Sequence, residues 1–220
     1  MKAKFVTILV LLGVMVASPT AAQQGSRLFP PNSNPYQKAY KRWAGQSSVW
    51  FNEIPARGHP YRNLTPRSCR RHQKGKVWFL VLVPPGGRCV IPAKRAILAV
   101  GPFWECSTAE GHGRTYDRLR RCATNGFRRD FGRKAFKLRI ELDGRPLKRI
   151  RRWTYTTPGE TFDFPRKNLW EAQPGPSKSV SRGIFFMLRP LSPGRHSFRT
   201  RASFGDRTDV FVTRIRSVRQ

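Results

Sequence analysis

The chain has 220 residues, with 43 Lys and Arg against 12 Asp and Glu, a formal net charge of +31 and a pI near 11.6. A composition of 39% hydrophobic and 12% aromatic residues supplies enough apolar material for a core, which excludes a disordered polycation, and the charge excludes an ordinary acidic cytosolic enzyme. The length fits one domain.

Residues 1–22 read as a secretory signal peptide. Met1-Lys2-Ala3-Lys4 is the charged segment, Phe5 to Ala17 the apolar run, and Ser18 to Ala22 the small-residue cleavage region. The 13-residue apolar run is shorter than the roughly 20 residues a membrane-spanning helix needs. Cleavage after Ala22 leaves 41 basic residues against 12 acidic, a net of +29, in an exported chain bound for the periplasm or the extracellular space. Residues 23–33, with Pro30-Pro31-Asn32, read as a flexible leader, and residues 34–220 as a single domain.

The spacing of Tyr36, Ala39, Tyr40, Trp43, Ser47 and Trp50 predicts a helix with Asn34 as its cap and Pro35 in its first turn, ending before Pro55. Its aromatic stripe belongs to the core. Export favours disulfides for Cys69, Cys89, Cys106 and Cys122. Sequence order suggests Cys69 with Cys89 and Cys106 with Cys122. No C-x-x-C occurs and no His stands in a compact Cys/His spacing, so neither a metal nor a cofactor is expected.

Downstream, short apolar or alternating runs are broken by Pro and Gly. Lys76 to Val83 and Arg88 to Val100 read as a hairpin around Pro84-Pro85-Gly86-Gly87, with Pro92 at a bend. Residues 103–134 interrupt the pattern and carry a short helix from Tyr116 to Ala123, capped by Thr115, in a disulfide-stapled loop. Ala135 to Leu142 alternates as a strand, Asp143-Gly144 is a hairpin turn, and Leu147 to Tyr155 is its partner. Thr161 to Phe164, Ile184 to Leu188, His196 to Phe204 and Asp209 to Val218 complete seven or eight strands, with Glu171 to Ser181 as a long loop. The expected fold is mainly β, an antiparallel β-sandwich of jelly-roll or immunoglobulin-like type with the N-terminal helix packed on it.

These signals resemble a family of exported bacterial proteins without an assigned reaction. The resemblance rests on the Trp43 and Trp50 helix ending in Ile54-Pro55, on Gly75-Lys76-Val77-Trp78-Phe79-Leu80, and on Arg88-Cys89-Val90-Ile91-Pro92-Ala93. It continues through Pro190-Leu191-Ser192-Pro193-Gly194-Arg195-His196. It implies a secreted β-rich domain. Lys94, where a Gly is expected, and the high charge depart from the pattern.

The densest basic stretch, Arg114 to Arg152, carries 15 Lys and Arg against Asp117, Asp130, Glu141 and Asp143, a local net of +11. From it come the candidate polyanion-binding residues Arg118, Arg121, Arg128, Arg129, Lys137, Arg139, Arg149, Arg151 and Arg152, with Trp153 and Tyr155 as possible stacking surfaces. For an exported protein the matching partners are lipopolysaccharide, teichoic acid, acidic polysaccharide or extracellular DNA. G-x-S-x-G, H-E-x-x-H and phosphate-loop signatures are missing, so no catalytic residue is assigned. Two other readings stand beside this one: a hydrolase of such polymers using His112 or His196, and a structural envelope protein with no specific ligand.

Overall fold

The computed structural model describes residues 27–82, 86–132 and 136–219. The signal-peptide reading lies outside these residues. Among the described residues the α-helices are α1 (Tyr40–Asn52), α2 (Pro66–Cys69) and α3 (Tyr116–Phe131). The strands are β1 (Val77–Val81), β2 (Gly87–Pro92), β3 (Ala96–Ser107), β4 (Phe136–Leu142), β5 (Arg145–Pro146), β6 (Thr154–Thr156), β7 (Glu160–Phe164), β8 (Gly175–Leu188), β9 (Gly194–Phe204) and β10 (Arg207–Val218). One sheet has the order β1-β3-β8-β6, with β7 also pairing β8; the other has the order β2-β10-β9-β4-β5. We call them sheet A and sheet B. No helix among the described residues is long and apolar enough to cross a membrane.

The mainly β, two-sheet architecture is the expected one, but the pairing is not purely antiparallel. β1 pairs β3 in parallel and β2 pairs β10 in parallel. The expected hairpin of residues 76–83 with 88–100 therefore does not form. The chain turns after Pro92, where the Arg95 amide donates to the Pro92 carbonyl, and what reads as one returning strand is β2 in sheet B followed by β3 in sheet A.

Strand alternation sets the layers. On β8, Phe186 meets Phe198 of β9, so the even-numbered face looks toward sheet B at that end. Further back on the same face Val180 packs with Cys106, Leu119 and Ala123, so α3 covers it there. On the opposite face Ser181 receives a hydrogen bond from Ser48 of α1 at 2.9 Å. Sheet A thus lies between α1 on one side and sheet B with α3 on the other.

The aromatic helix begins at Tyr40, later than expected. Asn34 and Pro35 open a short 3-10 turn instead, and Ala39 precedes α1 without a side-chain cap. Trp43 and Trp50 are buried, and their indoles donate to the carbonyls of Pro35 and Arg71. Thr115 caps α3 through the Arg118 amide as expected, but the helix continues to Phe131. Part of the expected flexible leader is fixed: Leu28 is buried, and the Phe29 amide donates to Met187. Residues 175–181, read as a loop, form the first half of β8. The disulfides are Cys69–Cys89 and Cys106–Cys122, the pairing suggested by sequence order.

Asp143-Gly144 makes the expected tight turn, with φ of 52° and 72°. Its second strand is only the two residues of β5, because the chain then enters a 3-10 turn at Ile150–Trp153. The long partner of β4 is β9.

Candidate functional site: a cationic sheet face

Sheet B buries one face and presents the other to solvent, and this second face is a lattice of cations. On β9, Arg195, Arg199 and Arg201 are exposed and alternate with buried Phe198, Thr200 and Ala202. On β10, exposed Arg214 and Arg216 flank buried Ile215. Lys137 and Arg139 of β4 and Arg88 of β2 add three more exposed cations.

Register places them side by side. Arg216 is opposite Arg195, Arg201 is opposite Arg139, and Arg214 is opposite Arg88 on its other flank. Neighbouring strands lie about 4.8 Å apart and successive outward residues about 7 Å apart along a strand. Eight cations, Arg88, Lys137, Arg139, Arg195, Arg199, Arg201, Arg214 and Arg216, thus share one open surface. Glu141, opposite Arg199, is the acid among the described residues at an outward position within this lattice, and Arg139 engages it at 2.8 Å.

Of the nine candidate residues from the sequence, only Lys137 and Arg139 lie on this face. Arg118, Arg121, Arg128 and Arg129 stand on α3, where Arg129 pairs with Asp130 at 2.8 Å and lies over the Trp104 ring at 4.7 Å. Arg149, Arg151 and Arg152 stand at the 3-10 turn before β6, and Arg151 donates to the Phe136 carbonyl at 2.6 Å. Trp153 and Tyr155 are not stacking surfaces. Trp153 is buried with its indole donating to Phe29 and Tyr40, while Tyr155 stacks on Tyr40 at 5.1 Å and donates to Pro31. The arginines of β2, β9 and β10 lie outside the densest linear stretch. Their signal is the period-two spacing of Arg199-x-Arg201 and Arg214-x-Arg216.

His196 anchors the edge of the lattice. Nδ1 lies 2.9 Å from Asp143 Oδ2, and Nε2 lies 2.8 Å from the Ser192 carbonyl. Asp143 also accepts from Arg27 at 3.0 Å and from the Ser197 amide at 2.9 Å. Burial raises the Asp143 carboxyl, but the bonds from His196, Ser197 and Arg27 outweigh it and hold the group below its ordinary value. Both ring nitrogens being engaged, His196 joins the β4–β5 turn to the start of β9.

A second polar cluster lies where β3 leaves sheet A. His112 and Glu110 line an open cleft of about 620 Å³ together with Arg166 and Trp170. Behind it Glu105 is buried, with Ser179 donating to Oε1. Burial first, and then the neighbouring Glu110 carboxyl, push Glu105 well above the usual carboxylate range. Ser107 Oγ donates to Glu110 Oε2 at 2.6 Å, and the Ser107 amide donates to His112 Nδ1 at 3.3 Å.

No family model matches the chain, and no curated protein matches it. Among solved structures, a cysteine protease inhibitor from Entamoeba histolytica is similar at 13% identity over 64% of this chain and 95% of that chain, with a TM-score of 0.25. A likeness at that level carries no argument.

Proposed function

We propose that the protein is exported and that the outer face of sheet B binds anionic polymers of the cell envelope or its surroundings, without chemistry of its own. The observation that carries this reading is the lattice itself: eight cations share an open surface with a single acid among them. Phosphates or carboxylates that settle on such a face displace condensed counterions, so the binding is strong at low salt, steeply salt-dependent and weakly selective for sequence. Guanidinium groups favour this use because each presents a planar fork to two anionic oxygens.

Lipopolysaccharide, teichoic acid, acidic polysaccharide and DNA offer the required anions at different spacings. The test is the affinity of residues 23–220 for each of these four across a salt series. Tight binding to at least one, with a steep log–log salt slope, is the expected result. Weak and equal binding to all four, with a shallow slope, overturns the reading and leaves the charge as a solvated surface.

A further inference from the structure

The sequence has no compact Cys/His motif, yet the fold gathers three metal-ligating side chains at one point. One donor atom each from Cys106, His112 and Cys122 lie within 4.8 Å of one another. Cys106 comes from the end of β3, Cys122 from α3, and His112 from the loop between them. The two sulfurs are joined, with their Cα atoms 6.1 Å apart.

We propose that the Cys106–Cys122 disulfide is a redox latch over a zinc site: once it is reduced, the two thiolates and the His112 ring bind one zinc ion, with a fourth position left to water. At a Zn–S distance of about 2.3 Å, two sulfurs on one tetrahedral ion stand about 3.8 Å apart. Rotation of the two cysteine side chains reaches that separation from the existing Cα spacing. Two thiolates and one divalent cation sum to zero, so occupancy adds no charge to a strongly basic chain. The His112 ring is already oriented, since Nδ1 accepts from the Ser107 amide and lies 3.6 Å from Glu110 Oε2. Zinc binding through Nε2 takes the tautomer protonated at Nδ1, which gives up the Ser107 amide and turns its N–H toward Glu110; a carboxylate so placed fixes the ring and strengthens the ligand.

The redox step is thiol–disulfide exchange with a dithiol reductant. Its thiolate attacks the sulfur of Cys122, the partly exposed residue of the pair, and Cys106, which is fully buried, leaves as the thiolate. The reductant's second thiol then displaces Cys122. Two electrons and two protons pass to the cysteine pair, and the reductant closes to its own disulfide. The thiols release their protons as zinc binds. The other disulfide is less accessible, because Cys69 and Cys89 are each 1% exposed.

The experiment treats the folded chain with a limiting dithiol, locates the reduced pair by alkylation and mass spectrometry, and titrates zinc against a chromophoric chelator. Cobalt(II) serves as the spectroscopic probe. The expected result is one zinc per chain after reduction and none before, with a thiolate-to-cobalt charge-transfer band of tetrahedral type. His112→Ala weakens zinc binding at least tenfold and alters the cobalt spectrum, and Glu110→Gln weakens it by about tenfold. A paired Cys69→Ala, Cys89→Ala variant, checked for folding by circular dichroism, removes the other thiols and must retain the site. The proposal is overturned if the reduced protein gives no charge-transfer band, if oxidised protein binds zinc equally well, or if His112→Ala leaves affinity and spectrum unchanged.

Discussion

Replacing Arg199, Arg201, Arg214 and Arg216 together with Gln removes four of the eight cations from sheet B without touching its buried face. If each guanidinium neutralises one phosphate of a DNA duplex, the slope of log K against log salt becomes shallower by about 0.9 per lost contact, or roughly 3 to 4 in all. The same structure predicts that the variant is more stable than the parent. Arg199 and Arg201, and likewise Arg214 and Arg216, are outward neighbours about 7 Å apart, and two like charges at that distance repel by about 0.6 kcal/mol in water. Removal of both pairs and part of their cross-strand repulsion stabilises the fold by about 1 to 2 kcal/mol at low salt, a gain that fades as salt screens the charges. Fluorescence anisotropy with a labelled duplex gives the slope, and denaturant unfolding at two salt concentrations gives the stability.

The control is the quadruple Arg118, Arg121, Arg128 and Arg129→Gln variant, which lowers net charge by the same four units on α3. A local binding face requires the sheet variant to lose the larger share of the slope. Equal losses from both variants would mean that binding follows net charge alone and would refute the argument from register.

Three other outcomes follow from single residues. Burial holds the imidazole of fully buried His59 at a pKa of about 4 against an ordinary value of 6.5, so the unfolded chain binds the extra proton first. The resulting stability is intact above pH 6.5 and declines as pH falls toward 4, by about 2 kcal/mol at pH 5; His59→Gln should be less stable than the parent at pH 7.5 and show a smaller fall to pH 5 in urea titrations. Asp143→Asn removes the carboxylate that accepts from Arg27, His196 and the Ser197 amide, and should cost about 1 to 3 kcal/mol at neutral pH; the difference from the parent should shrink as acid protonates the parent's carboxyl, which a matched pair of unfolding curves at pH 7 and pH 3 will read. Gly126→Ala places a Cβ 2.4 Å from Trp104 Nε1, inside a rigid indole, so overpacking of about 1 to 3 kcal/mol outweighs the roughly 1 kcal/mol of helix propensity gained, and calorimetry should record a lower Tm.

What could be read in advance follows the range of the forces involved. The Tyr40, Trp43 and Trp50 stripe, the Thr115 cap and the Asp143-Gly144 turn are set by residues within a few positions of one another, and each is found in the fold. The 88–100 run failed because its two halves join different sheets, and the parallel partner of Gly87 is Thr213, which no local period reveals. Residues 175–181 have the composition of a loop because Ser177, Ser179 and Ser181 are hydroxyls, yet all three are buried. They are satisfied by Thr108, Glu105 and Ser48, all distant in sequence. The cationic face is hidden in the sequence for a related reason: density along the chain is not density on a surface, and its members span positions 88 to 216.

The placement of the few acids is the strongest reason to separate this face from a merely basic exterior. A polycationic chain that needed only solubility would gain stability by scattering its carboxylates among its arginines, since each neighbouring pair would relieve repulsion. Asp130 and Asp209 do pair with Arg129 and Arg207 in this way, while several other acids serve inside the fold. Asp143 binds the turn and His196, Glu105 is buried against Ser179, Glu110 accepts from Ser107, and Glu160 is half-buried against α1, where its carboxyl reaches the space above Gly45. On the outer face of sheet B one carboxylate among the described residues faces eight cations, although β9 and β10 offer exposed positions such as Val210 and Thr208 where an acid would fit. Placing Glu at 208 and 210 should therefore stabilise the protein at low salt while weakening its hold on anionic polymers. A solvated exterior would gain the same stability and would have no such binding to lose.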